Sequence, residues 1–271
     1  MIRIKLIDES FTNMKTLFIS VMCLITVVFS FSANAESASN ACELTHAWAP
    51  VSPFLIDSGT KPTGYQVDLI TMLGTEMECE IKYQKLRWND SLEKLRTGEV
   101  DFVGRASKTP QREKWAYFSA PYSTELLVLY VKKGAGKNYN YATLKSLLDS
   151  KFKLGLVSGA YYGELNELII ENRYQQNIYR YSFAKDMIKA LEQGEVDGIF
   201  EAPFIMDNYF ANKNQTVAFE EYPLALITGQ IYFMFSKNSV SKAFVDKFNS
   251  ALETVKAKQE YKQHPYWPKN Q

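Results

Sequence analysis

Apolar and polar positions alternate along this chain with two different periods. Leu44–Ala47, Glu80–Gln84 and Phe102–Gly104 read as strands, and Val67–Glu76 and Asp90–Arg96 as helices between them, the first opened after Gly64-Tyr65. After an extended segment at Glu125–Val131, the run Gly134-Ala135-Gly136-Lys137-Asn138 breaks the pattern. A second alternation then follows, with helices expected at Tyr141–Leu148, Tyr162–Asn172 and Ala184–Gln193 and strands at Lys153–Val157 and Val196–Phe200. Leu224–Phe235 is a long β-rich run interrupted by Gly229, and Val240–Gln259 closes the pattern as a helix expected to pack back on the first half. Strands alternating with helices imply mostly parallel sheets of an α/β fold.

One unit occurs twice. Leu95-Arg96-Thr97-Gly98-Glu99-Val100-Asp101 returns as Leu191-Glu192-Gln193-Gly194-Glu195-Val196-Asp197, each copy ending an amphipathic helix at a glycine and starting a strand near the Val-Asp step. A recurrence after about 100 residues suits two similar lobes rather than stacked short repeats. The extended segments near 125–131 and 226–235 would be the crossings between lobes, and a cleft between lobes is a common place for a small ligand.

The first residues do not fit this scheme. Lys15 precedes an apolar run from Leu17 to Phe31, and Ser32-Ala33-Asn34-Ala35 supplies small residues spaced like a signal-peptidase site. The run is short for a bilayer span and suits a secretory leader, residues 1–35, with Met14 as an alternative start. Cys23 lies inside the apolar run and Cys42 in a polar stretch beyond it, which argues against a lipoprotein anchor. The expected mature chain is therefore exported to the periplasm. Its charges balance: the whole sequence carries 31 basic and 30 acidic residues, of which three and two fall in residues 1–35. Neutrality argues against nucleic acid or an anionic membrane surface as partner. Cys42 and Cys79 remain after cleavage, and an oxidising compartment favours a disulfide between them; two buried free thiols are the alternative.

The chemistry concentrates in Ser107–Tyr122. Thr109 suits an N-cap, Pro110 a first helical position, and Arg112 follows within one turn, so an anion there would meet helix N–H groups and a guanidinium, with the Ser107 hydroxyl as a further donor. A capped surface helix with a solvated Arg is the plain alternative. The repeated acids Glu99, Asp101, Glu195 and Asp197 read as turn-capping rather than as an acid pair. With two histidines, His46 and His264, and neither H-E-x-x-H nor C-x-x-C, no metal or cofactor is expected. Gly155–Gly159 misplaces the serine for a nucleophile elbow, and Gly134–Asn138 departs from a P-loop; both read as turns.

Trp48, Pro50, Pro53 and Phe54, then Gly64–Leu69, Leu95–Asp101, Ser107–Arg112 and Phe118–Tyr122 stand in an order that resembles family 3 extracellular solute-binding proteins, the polar-amino-acid binding components of ABC importers. The resemblance covers nearly all of the mature chain and is weakest over 132–181. It implies a two-lobed periplasmic binding protein of type II, with 36–127 and 230–271 as one lobe and 128–229 as the other, joined by two crossing strands. It also implies that Arg112 grips a ligand carboxylate with Ser107 and the Thr109 helix start, that Trp88 covers the ligand body, and that Phe54 lines the cleft or packs beneath it. Phe118, Pro121 and Tyr122 would be structural. Three departures stand out. Val51 replaces an aromatic, Ala160-Tyr161 replaces a small hydroxyl residue, and the acid that pairs with a ligand ammonium is absent at its expected spacing, Glu201 aligning only with one deletion. Arg105 adds a second positive charge where a small residue is usual. The expectation is a monomeric, non-enzymatic binding protein for a small polar carboxylate or amino-acid-like ligand, with Tyr161 enclosing it and Glu201 meeting any amine. The alternatives are a dehydratase-like enzyme on the same scaffold, using Glu201 as its acid, and a sensor without a transporter.

Overall fold

The computed structural model describes residues 42–59, 61–213 and 218–267; the expected leader at 1–35 lies outside the described residues. The elements run β1 (Cys42–Trp48), α1 (Tyr65–Met77), β2 (Cys79–Lys85), α2 (Trp88–Thr97), β3 (Phe102–Ser107), α3 (Pro110–Glu113), β4 (Ala116–Phe118) and β5 (Ser123–Lys132). A short 3-10 turn at Gly136–Asn138 leads to α4 (Leu144–Asp149), β6 (Leu154–Val157), α5 (Leu165–Leu168), α6 (Asn172–Gln175), β7 (Ile178–Tyr181), α7 (Ala184–Gln193), β8 (Gly198–Glu201), α8 (Pro203–Lys213), β9 (Phe219–Ser236), α9 (Lys242–Ala257) and α10 (Gln259–Gln263).

The strands lie in the order β2-β1-β3-β9-β5-β8-β6-β7, with β4 also paired to β9. β1 is parallel to β2 and β3, and β6 is parallel to β7 and β8, so each half of the chain builds its own parallel set. The long strands β5 and β9 run antiparallel to each other and join the two sets. This is the two-lobed, two-crossing architecture. β9 turns at Gly229 (φ 89°), where the β5–β9 register slips between Glu125 and Leu126. The Leu224–Phe235 run thus begins earlier than expected, at Phe219, because Tyr222, Glu221 and Glu220 continue the ladder opposite Leu129–Val131.

Each copy of the repeat does the same work. Gly98 and Gly194 end α2 and α7 in the left-handed conformation (φ 87° and 78°), which a β-carbon disfavours. Asp101 Oδ2 then accepts from Thr45 N at 2.7 Å, and Asp197 Oδ2 from Lys153 N at 2.7 Å, tying each repeat to the neighbouring strand. In-register pairing of β1 with β2 sets Cys42 beside Cys79 (Cα–Cα 4.4 Å), and they form a disulfide. α9 packs back on the first half, as Phe248 meets Phe233 and Phe235 at ring separations of 5.1 and 4.8 Å and Lys258 pairs with Glu76 at 2.6 Å.

Other elements also differ from the sequence expectation. The Tyr162–Asn172 helix is two single turns, α5 and α6, because Gly163 takes φ 56° and Glu171 is extended. α4 starts at Leu144, where Thr143 and Ser146 form a capping box, while the Tyr141 N–H is held by the Tyr222 hydroxyl at 2.7 Å. β7 and α8 were not foreseen: the first is a half-exposed four-residue edge strand, and the second has no single apolar stripe.

Candidate functional site

Thr109 caps α3, its Oγ1 accepting from Arg112 N at 3.2 Å, and Pro110 occupies the first turn. The helix is a single turn of four residues, so its macrodipole is slight and the charge at this corner is the guanidinium itself. Arg112 is only 8% exposed. It donates from Nη1 to the Ser107 carbonyl (2.8 Å) and from Nη2 to the Gly159 carbonyl (3.1 Å), which belongs to the turn after β6. Trp88 Nε1 donates to the same Gly159 oxygen (3.0 Å), and the guanidinium lies 5.8 Å from the Trp88 ring. Burial pulls Arg112 down to about 10, against a smaller opposing effect of Tyr161, so it stays charged at neutral pH. Among the described residues no carboxylate lies within ion-pair distance of it.

Arg112, Ser107 and Trp88 line a cavity of about 150 Å³, together with Arg105, Tyr161 and Glu201. Two expected residues are not on its wall. Thr109 spends its side chain on the cap, and Phe54, 1% exposed, lies beneath Arg105, whose guanidinium sits 3.8 Å above its ring. Arg105 takes φ 54°, unusual for a side-chain-bearing residue, and its N–H donates to the Tyr122 hydroxyl at 2.7 Å, which in turn donates to Gln66 Oε1 at 3.0 Å. Its Nη2 pairs with Glu125 Oε1 at 2.9 Å, and the Thr228 hydroxyl donates to Glu125 Oε2 at 2.9 Å.

Glu201 ends β8 at 7% exposure, with Oε1 accepting from the Ala202 N–H at 2.8 Å. Burial pushes its carboxyl up to about 7; the Ala202 N–H opposes that shift, Glu125 adds to it and Arg105 reduces it. Tyr161 is half-buried on the second-lobe wall, and its neighbour Tyr162 accepts from Val157 N at 2.8 Å. Sequence reasoning overlooked Glu125 and Gly159. Glu125 had a signal, a lone acid among Leu126–Val131, whereas the Gly159 carbonyl is a backbone group that no residue type announces. His46, fully buried in β1, also borders the cavity; its ring lies between Tyr83 (5.6 Å) and Phe102 (4.8 Å), and neither nitrogen has a hydrogen-bond partner among the described residues. Burial lowers its pKa to about 3, so it is neutral. No group of three His, Cys, Asp or Glu side chains among the described residues could hold a metal ion.

Two parallel lobes joined by two crossing strands, with a buried arginine in the cleft between them, define a type II periplasmic-binding fold. The profile of bacterial extracellular solute-binding proteins, family 3, matches residues 44–265, and the chain belongs to that family. It is 26% identical over 215 residues to a probable histidine-binding protein of Neisseria gonorrhoeae, covering 79% of this chain and 77% of the relative. It is 24% identical over 245 residues to ABC transporter arginine-binding protein 1 of Escherichia coli K12, covering 88% and 93%. An arginine-specific periplasmic binding protein of Salmonella typhimurium superposes with a TM-score of 0.65 at 22% identity, over 82% of this chain and 97% of that one. Members of the family are binding proteins, and no helix of the described residues is long and apolar enough to cross a membrane.

Proposed function

We propose that this chain captures a small polar carboxylate or amino-acid-like ligand in the interlobe cleft and presents it to an ABC permease, acting as a secreted monomer that breaks no bond of its ligand. Arg112 carries this reading. A guanidinium held at 8% exposure whose hydrogen bonds, among the described residues, go to two carbonyl oxygens is a desolvated charge, and an anion placed beside it removes that penalty. Trp88 and Tyr161 supply apolar and aromatic surface for the rest of the ligand, and Glu201, on the same cavity wall, accepts from an amine. The names of the histidine- and arginine-binding relatives agree with an amino-acid-like ligand. Lobe boundaries near residues 127 and 230 are supported by the two long strands β5 and β9, which join the two parallel sets.

The test is a thermal-shift screen of amino acids and small carboxylates, followed by calorimetry on R112A. Loss of a charge-assisted contact costs about 1.5–3 kcal/mol, roughly a tenfold to hundredfold loss of affinity. Unchanged affinity in R112A would remove the carboxylate clamp. One observation favours a second reading, a dehydratase-like enzyme: a buried carboxyl raised to about 7 is suited to donate a proton. Turnover of a prephenate-like substrate that vanishes in E201Q would establish it, and absence of turnover would dismiss it.

A further inference from the structure

Arg105 is placed as a ligand would be. Its guanidinium lies 3.8 Å above the Phe54 ring and 2.9 Å from Glu125, whose second oxygen is fixed by the Thr228 hydroxyl. An aromatic face, an acidic side chain and a hydroxyl that orients it form a cage suited to a planar organic cation. Here the chain supplies the cation itself. Arg105 and Glu125 both border the cavity, whereas Phe54 does not, because the guanidinium covers its face. The backbone accepts an uncommon left-handed conformation to put the side chain there, held by the Tyr122 hydroxyl on the Arg105 N–H.

We propose that Arg105 is the residue that sets specificity in this cleft, a built-in guanidinium that occupies the Phe54–Glu125 cage and so excludes ligands bearing a cationic side chain. The proposal rests on the cavity being the ligand site. With the cage filled, the charge left for a ligand on the first-lobe wall is that of Arg112, so the anionic end of the ligand is recognised there and a second cation finds no acceptor at Glu125. The chain thereby parts from its arginine-binding relatives in ligand class while keeping their fold.

Removing the built-in cation should open the cage. R105G suits the left-handed backbone, and R105Q keeps a polar head of reduced length; each is titrated with ethylguanidinium and with L-arginine beside the wild-type protein. Both variants are expected to bind ethylguanidinium at least about tenfold more tightly than wild type, and to lose that gain when E125Q is added, as a charge-assisted contact requires. A variant that folds only when ethylguanidinium is present supports the proposal equally. Wild type that binds L-arginine or ethylguanidinium as well as the variants do, variants that gain nothing, or variants unfolded with and without the probe would each overturn it. Ethylguanidinium has no carboxylate and does not need Arg112, so the two readings fail separately. Cage binding in R105G with no carboxylate bound by wild type would sink the Arg112 clamp, while Arg112-dependent carboxylate binding with no gain in either variant would sink the cage.

Discussion

At the scale of single residues, His46 and Glu201 tilt stability in opposite directions along the pH axis. His46 is neutral in the fold, its pKa lowered to about 3 by burial, while an unfolded chain binds that proton near 6.5. Its contribution is fully present above about 6.5 and is lost as pH falls toward 3, since the unfolded state alone takes up the proton. Glu201 behaves inversely. With burial raising it to about 7 from 4.5, the folded state keeps its proton longer, so its contribution is present below 4.5 and is lost as pH rises through 7. Each slope is about 1.4 kcal/mol per pH unit within its window, and the windows overlap between 4.5 and 6.5. The two effects should largely cancel in the ligand-free wild-type protein. H46L should then leave stability falling as pH rises from 5 to 6.5, and E201Q should leave it rising, each by on the order of 2 kcal/mol across that interval. Urea titrations at pH 5, 5.75 and 6.5 read both slopes directly; two single variants with slopes of the same sign would contradict the assignment.

At the scale of elements, the duplicated helix-to-strand unit is an assembly device. Asp101 and Asp197 each offer one carboxylate oxygen to a neighbouring backbone N–H, at Thr45 within β1 and at Lys153 just before β6. D101A should lower stability by about 1–3 kcal/mol, because the Thr45 N–H is partly buried, and D197A by about 0.5–1 kcal/mol, because water reaches the Lys153 N–H. The residues lie in different lobes with no shared partner, so the double variant should show the sum to within about 0.5 kcal/mol. A double variant no worse than either single one would argue that only one of the two contacts forms. This unit was legible because a glycine stop and a Val-Asp strand start are local signals, and the same holds for Thr109 and Arg112 around α3. β7 was not legible, because Ile178–Tyr181 is a half-exposed edge strand without alternation. α8 begins at Pro203 with aromatic residues scattered around its axis, so no 3.6-residue stripe marks it. The cavity wall divides in the same way. Arg112 and Ser107 share one short motif, whereas Arg105 and Glu125 meet only because β3 and β5 both flank β9, a tertiary fact that spacing along the chain does not encode.

At the scale of the whole molecule, one backbone oxygen ties the halves of the cleft together. Trp88 and Arg112, from the first lobe, both donate to the Gly159 carbonyl of the second. A second bridge is aromatic: Phe204 of α8 packs against Tyr65 at 5.7 Å, Tyr266 at 4.7 Å and Phe54 at 5.7 Å. Gly159 is held at φ 76°, and a β-carbon there would lie 1.9 Å from Asn89 Oδ1 and 3.3 Å from the Trp88 ring. G159A therefore strains its own turn and pushes against the first lobe at the point where two donors converge, without substituting any residue assigned to the ligand. A ligand gripped from both lobes binds the closed arrangement, so a variant that depopulates closure loses affinity in proportion. For G159A the expected result is a larger radius of gyration in ligand-free solution scattering, together with a loss of affinity on the order of tenfold for whichever carboxylate the thermal-shift screen identifies. Saturating ligand should restore the wild-type radius, because the closed state remains sterically reachable once Asn89 turns aside. W88F, which keeps the ring and removes the Nε1 donor, should show the same direction with a smaller effect. If G159A scatters and binds like wild type, the Gly159 carbonyl does not govern closure, and the aromatic bridge through Phe204 becomes the contact to disrupt.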